Sequence, residues 1–283
     1  MTDGGMRELS PGDHIGRYVV VRPLGRGGMG VVYVARDERL GRDVALKMIA
    51  GLADDMARSR FWREARVAAS VNHPHICQVF EVDESPDGIF LTMELLDGEA
   101  LDRRLARGAL TPQEAVPIVL GVLGALAALH GRGLVHRDIK PSNVFLTPHG
   151  PKLLDFGLAR PALSGTSPPP AAEVDPVTEA GMIVGTPQYM APEQARAAAV
   201  DGRTDLYALG AVVFHMLAGR PPFTGTALNV MFAQLKEHAP ALQGPPAVVA
   251  IDRVIRRAMR KAADERYASA EEMAAELEAA SLS

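Results

Sequence analysis

The chain has 283 residues, enough for a large core in one or two domains, and its 47% hydrophobic and 23% charged content is that of an ordinary globular protein. A formal charge of −4 excludes the basic excess that nucleic acid or an anionic membrane would call for, so no nucleic-acid partner is expected. The single cysteine, Cys77, excludes an internal disulfide and a cysteine-built zinc site; in the strand-like run ICQVFEV it reads as a small buried hydrophobe, in a reducing, cytoplasmic compartment.

Residues 1–14 are polar, lack the apolar core of a signal peptide and read as an N-terminal tail. From Ile15 to about Leu96 the runs YVVVRPLG, GVVYVARD, DVALKMIA, ICQVFEVDE and GIFLTMELL predict strands, with one helix over Met56–Ser70. After Leu96 the apolar period becomes helical, over 112–131, 204–218, 226–238, 247–261 and 269–281. Strands followed by helices predict an α+β chain of two lobes, 15–96 and 97–283, hinged near MELLDG. The most apolar stretch, Ala115–His130, is shorter than the roughly 20 residues of a membrane span and is interrupted by Pro117, Gly121 and Gly124, so it reads as a buried helix and no membrane segment is expected. Residues 161–176, PALSGTSPPPAAEVDP, show no usable period and predict a mobile loop.

Four stretches carry chemistry. In LGRGGMGVV, Gly25, Gly27 and Gly30 fit G-x-G-x-x-G, a weak signal alone because a glycine hairpin is also just a tight turn. A dinucleotide fold would place a helix next; here a strand follows, which suits a flap over phosphates. VALK ends in Lys47, and Glu64 on the following helix could pair with it. LVHRDIKPSNVFL gathers His136, Arg137, Asp138, Lys140 and Asn143 in one short loop. In LLDFGLA, Asp155 stands at a strand end, and with Asn143 it offers the hard oxygens that Mg²⁺ takes beside phosphate. Of 30 basic residues only five are lysine, so lysine at 47 and 140 is weak evidence that a compact ammonium is wanted there.

In this order the stretches, with APE at 191–193 and DLYALG at 205–210, resemble the protein kinase signature. The GGMG loop, NHPHI, RTDLYALG and GRPPFTG are similar to the bacterial Ser/Thr kinases of eukaryotic type, over about residues 15–281. The resemblance implies a bilobal fold, a β-rich N-lobe with one main helix and a larger helical C-lobe, with an activation segment at 155–193. It implies ATP and Mg²⁺ as cofactors and Ser/Thr hydroxyls of proteins as acceptors. In that pattern Gly25, Gly27, Gly28 and Gly30 cover the phosphates, Lys47 contacts them and Glu64 holds Lys47. Asp138 takes the hydroxyl proton, Lys140 neutralises the transferring phosphate, and Asn143 and Asp155 hold the metal. Leu24, Val32, Ala45 and Phe145 would enclose adenine, with Met93 behind it and the backbone near Glu94 and Leu96 bonding the base. Glu193 and Arg266 match a buried ion pair, and Asp205 a residue that holds the catalytic loop, though its position also suits an ordinary helix cap.

Regulation, on the same resemblance, would rest on a phosphate at Thr178 received by Arg137, with Ala180 replacing a second family threonine and Thr186 kept for the active site. Ala68 departs from the large aliphatic residue usual beside the D-F-G phenylalanine, Phe156. A pseudokinase scaffold and a small-molecule phosphotransferase are the alternatives. Intact catalytic positions argue against the first, and the GT-x-x-Y-x-A-P-E segment against the second. A homodimer through the N-lobe is left open, as is membership, as a cytoplasmic domain, of a longer membrane-anchored protein.

Overall fold

Runs of β-branched and aromatic residues separated by Gly and Asp turns fold, in the first part of the chain, into one antiparallel sheet. The computed structural model describes residues 8–27, 30–49, 58–59, 61–62, 65, 69–154, 160–161 and 187–282, in two compact units, Met1–Asp97 and Gly98–Ser283.

In the first unit β1 (His14–Ile15), β2 (Tyr18–Gly27), β3 (Gly30–Asp37), β4 (Arg42–Ile49), β5 (Val79–Ser85) and β6 (Gly88–Met93) lie in the order β1-β2-β3-β4-β6-β5. Val44, Leu46 and Met48 of β4 join Tyr18, Val20, Val31, Tyr33 and Phe90 in a buried core. Because strand side chains alternate, Ala45 and Lys47 then occupy the other face, together with Val32 of β3 and Met93 of β6. In the expected helix over 56–70, the described residues Arg58, Ser59, Phe61, Trp62, Ala65 and Ala69 are helical, with Phe61 and Ala65 buried.

Two expectations are corrected here. The predicted tail is packed from Leu9 onward: Leu9 is buried, its N–H donates to the Tyr33 hydroxyl (3.1 Å), and Gly12 and Asp13 bond Val20. A buried phenol needs a polar partner, and the chain's start supplies one. The strand predicted from Ile76 begins only at Val79, because the Gln78 N–H is taken by the Glu94 carboxylate (2.8 Å). Cys77, just before it, is buried as expected.

The second unit is helical around two central helices. We label α1 (Leu101–Leu105), α2 (Pro112–His130), α3 (Pro192–Ala195), α4 (Gly202–Ala218), α5 (Ala227–Lys236), α6 (Pro246–Ala258) and α7 (Ala270–Ser281). Thr111 and Glu114 cap α2 reciprocally; Asp201, Thr226 and Ser269 cap α4, α5 and α7. Gly219, at φ 69°, ends α4 in the left-handed conformation that glycine adopts without strain. Helix α2 packs against α7 and α4, and α4 against α6, with twelve of the seventeen α4 residues buried. Among the described residues α2 alone is long and apolar enough to cross a membrane; half of its most apolar window is buried inside this unit.

Three short strands, β7 (Glu99–Ala100), β9 (Val144–Thr147) and β10 (Gly150–Leu153), form a small sheet in the order β10-β9-β7, and β8 (Leu134–Val135) pairs with β11 (Arg160–Pro161). Together these strands flank the loop that carries Asp138. Gly98 enters β7 at φ +134°, where an added Cβ would lie 1.9 Å from the Leu146 carbonyl oxygen. Gly98→Ala therefore combines a left-handed backbone with a backbone overlap, and should lower the unfolding free energy by about 3 kcal/mol in urea titration. A loss below about 0.5 kcal/mol would show that β7 can move off β9 at no cost.

Candidate catalytic site

The loop between β8 and β9 is held from beneath by one buried carboxylate. Asp205, in the first turn of α4 and fully buried, accepts the backbone N–H of His136 (2.8 Å) and the ring Nε2–H of His130 (2.8 Å) on Oδ2, and the backbone N–H of Arg137 (2.7 Å) on Oδ1. It is a loop anchor; the cap of α4 is Asp201. The His130 ring fits because Gly202 has no side chain: a Cβ there would come within 2.7 Å of it. Arg137 sits at φ 67°, uncommon for a residue other than glycine, and is locked there by its N–H on Asp205 and by its carbonyl, which accepts from Gln194 Nε2 (2.8 Å). His136 is buried, with Nδ1 accepting the Asp138 N–H (3.3 Å) and Nε2 therefore donating to the Leu154 carbonyl (3.1 Å), which assigns the neutral ring its proton.

On this anchored backbone Asp138, Lys140 and Asn143 converge. Lys140 Nζ lies 2.7 Å from Asp138 Oδ2, and Asn143 Nδ2 donates to the Asp138 carbonyl (2.8 Å) and carboxylate (2.9 Å). Asp138 remains half exposed while Ile139, Asn143 and Val144 are buried, so a fixed carboxylate is offered to an incoming group. Both amide hydrogens of Asn143 serve Asp138, which turns Oδ1, a hard oxygen suited to Mg²⁺, away as the remaining acceptor. Leu154 is pinned beside it, its N–H on the Asn143 carbonyl (2.8 Å). Its successor Asp155 lies outside the described residues, as do Gly28, Glu64, Ala68, Phe156, Thr178, Ala180 and Thr186.

The first unit presents its own set. Lys47 is buried on β4 directly opposite Val32, and Ala45 opposite Met93. Gly25 pairs with Val32 and Gly27 with Gly30, so the glycine stretch is a β-hairpin; Leu24 is the extra residue of a bulge and is exposed. The Glu94 N–H donates to the Gln78 carbonyl (2.9 Å), and the Glu94 carboxylate accepts the Gln78 N–H in return (2.8 Å).

Beyond the loop, Arg266 uses all five donors: two to the Glu193 carboxylate (2.7 Å each) and the others to the carbonyls of Arg203, Arg260 and Lys261. Burial pushes the Glu193 carboxyl up, but the Arg266 bonds and charge outweigh it and hold it below the ordinary carboxylate range. Tyr189 stacks on His215 and its hydroxyl lies 2.7 Å from His215 Nδ1; burial pushes this imidazole below 6.5. Sequence reasoning reached Asp205, Glu193 and Arg266. It missed His130, Gln194 and His215; only Gly202 beside Asp205 hinted at the first.

Comparison with known proteins places the chain. The protein kinase domain family matches residues 18–272. A probable serine/threonine-protein kinase of Streptomyces coelicolor is 41% identical over 93% of this chain and 40% of its own length. The serine/threonine-protein kinase PknB of Mycobacterium tuberculosis is 38% identical over 92% of this chain and 42% of its own length. The crystal structure of the M. tuberculosis PknI kinase domain superposes with a TM-score of 0.73 at 33% identity, over 97% of this chain and all of that one, so the α+β, bilobal kinase fold expected above is observed. The chain spans less than half the length of these curated relatives.

Two outcomes follow from the buried pairs. Arg266→Met leaves Glu193 desolvated without its cation and should cost about 3–5 kcal/mol in urea unfolding; a cost under 1 kcal/mol would mean that water replaces the pair. His215, depressed when folded, contributes stability that is complete above about pH 6.5 and is lost as pH falls through its folded value. The melting temperature should therefore drop between pH 7 and pH 5, and His215→Gln, which keeps an acceptor for Tyr189, should flatten that drop. An identical slope in the variant would assign the acid sensitivity elsewhere.

Proposed function

The chain belongs to the protein kinase family, and from that premise we propose that it transfers the γ-phosphate of ATP, with Mg²⁺, to serine and threonine hydroxyls of proteins. The observation that carries this reading is the exposed Asp138 carboxylate with Lys140 and Asn143 held against it on a loop anchored by the buried Asp205. Asp138 orients the acceptor hydroxyl and takes its proton, and Lys140 offsets the charge on the transferring phosphate. Lys47, held by Glu64, positions the α- and β-phosphates under the hairpin of Gly25, Gly27, Gly28 and Gly30. Asn143 Oδ1 and Asp155 would hold Mg²⁺, which supplies charge neutralisation on the phosphate oxygens. Val32, Ala45, Met93, Leu24 and Phe145 form the adenine surroundings, with the Glu94 carbonyl and the Leu96 backbone on the base. The segment through Pro187–Glu193, continuing an activation segment that begins at Asp155, carries the protein acceptor.

Regulation belongs to the same reading. Autophosphorylation at Thr178 supplies a dianion to Arg137, whose backbone is already fixed on both sides. Pairing of two N-lobes in a homodimer is part of it, with exposed Leu40 and Val21 as apolar surface on the first unit, and so is action in the cytoplasm.

The test is incubation of the purified chain with Mg-ATP and casein, followed by phosphosite mapping. Wild type should label casein and carry phosphate at Thr178, and Thr178→Ala should lose most of its rate. Asp138→Asn should cut turnover by about 10²–10⁴-fold with the KM for ATP within about twofold. Lys47→Met should abolish transfer. Full activity in Asp138→Asn would overturn the assignment; an undiminished Thr178→Ala would overturn the switch alone.

A further inference from the structure

A chain of buried polar groups runs behind the segment that follows the activation loop. Gln234, fully buried on α5, donates through Nε2 to the carbonyls of Pro187 (3.2 Å) and Gln188 (2.8 Å). Its Oε1 is thereby free only to accept, and it takes the Tyr207 hydroxyl hydrogen at 2.6 Å. With its hydrogen spent, the Tyr207 oxygen accepts from Lys261 Nζ (2.8 Å), which also bonds the Ala233 carbonyl one residue before Gln234. The direction of every bond is thus determined, from the ammonium to the two backbone carbonyls.

The chain is stiff at each step. The Tyr207 ring has Arg266 at 4.8 Å and Lys261 at 5.3 Å from its centre, so the residue that grips Glu193 also grips this ring. Lys261 also lies 4.9 Å from the Phe223 ring centre, and burial, with Arg266 nearby, pushes its ammonium down to about 8. At its other end the same segment reaches the catalytic loop: Gln194 accepts the Ala191 N–H (3.0 Å) and donates to the Arg137 carbonyl, next to Asp138. Segment 187–191 is therefore strung between two glutamines, one tied to the helical core and one to the residue before the catalytic aspartate.

We propose that Lys261, Tyr207 and Gln234 form a positioning relay that sets the backbone of Pro187–Tyr189, and through it how a protein acceptor is presented to Asp138. This rests on the kinase reading, which assigns that segment to acceptor binding. None of the three touches ATP or the acceptor in this proposal; they act through the carbonyls of residues 187 and 188. Their loss should accordingly weaken acceptor binding and leave nucleotide binding alone.

Gln234→Met keeps the volume and removes both donors, Gln234→Glu keeps the acceptor for Tyr207 and removes the donors, and Tyr207→Phe removes only the step behind them. Two readouts apply to each. In amide hydrogen exchange on the whole chain, residues 188–190, among them the Met190 N–H on the Pro187 carbonyl, should exchange about tenfold faster in the Gln234 variants and less so in Tyr207→Phe, as loss of about two hydrogen bonds implies. The His136 and Arg137 amides held by Asp205 should not change. In kinetics, KM for casein should rise about tenfold while kcat and the KM for ATP stay within about twofold. Unchanged exchange at 188–190, or an equal acceleration at 136–137, overturns the relay, since the second is what plain destabilisation would do. A fall in kcat with no rise in the casein KM overturns its role in presentation. If wild type transfers no phosphate at all, the kinase reading fails, and the exchange measurement still decides whether the relay exists.

Discussion

One buried carboxylate, Asp205, is the constraint on which the rest of the second unit depends. A carboxylate with no exposed surface is tolerated only when both of its oxygens are hydrogen-bonded, and here three donors arrive from two separate segments, His130 at the end of α2 and the backbone of His136 and Arg137. Satisfying the carboxylate therefore fixes the loop that carries Asp138 to the most buried helix of the unit. The left-handed Arg137 belongs to the same arrangement, its N–H on Asp205 and its carbonyl accepting from Gln194. Asp138 inherits its direction from this geometry, and stays accessible because everything under it is occupied.

The first unit solves a related problem by alternation. A single strand, β4, gives Val44, Leu46 and Met48 to the core and Ala45 and Lys47 to the opposite face. Any slip of one residue would exchange the two sets, burying the ammonium in the apolar core and exposing the core residues. The placement of Lys47 and the stability of the sheet are thus specified by the same register.

What was legible in the sequence was what is local. Helix α2 was expected over 112–131 and is observed at Pro112–His130, because its apolar run and its Thr111–Glu114 cap lie within one contiguous stretch. Asp138, Lys140 and Asn143 are close in space because they are close along the chain. The strand expected from Ile76 starts only at Val79, and the Gln78 N–H just before it goes to a side chain sixteen residues away, Glu94. Helix α1, five residues long, is too short to show a period. Gln194 and Gln234 left no trace because an amide has no spacing signature when its partners stand 57 and 47 residues off.

The five-bond seat of Arg266 carries a consequence for how the chain is made. Glu193 precedes its cation by 73 residues, so during synthesis this carboxylate is complete long before its partner exists. The segment around it can be hydrated meanwhile, but it cannot be buried at low cost until residues 203, 260 and 261 have come together to receive the guanidinium. Docking of the segment around Glu193 is therefore a late event in birth order. A ribosome-bound chain would hold Asp138, Lys140 and Asn143 already translated, with the segment around Glu193 still unseated.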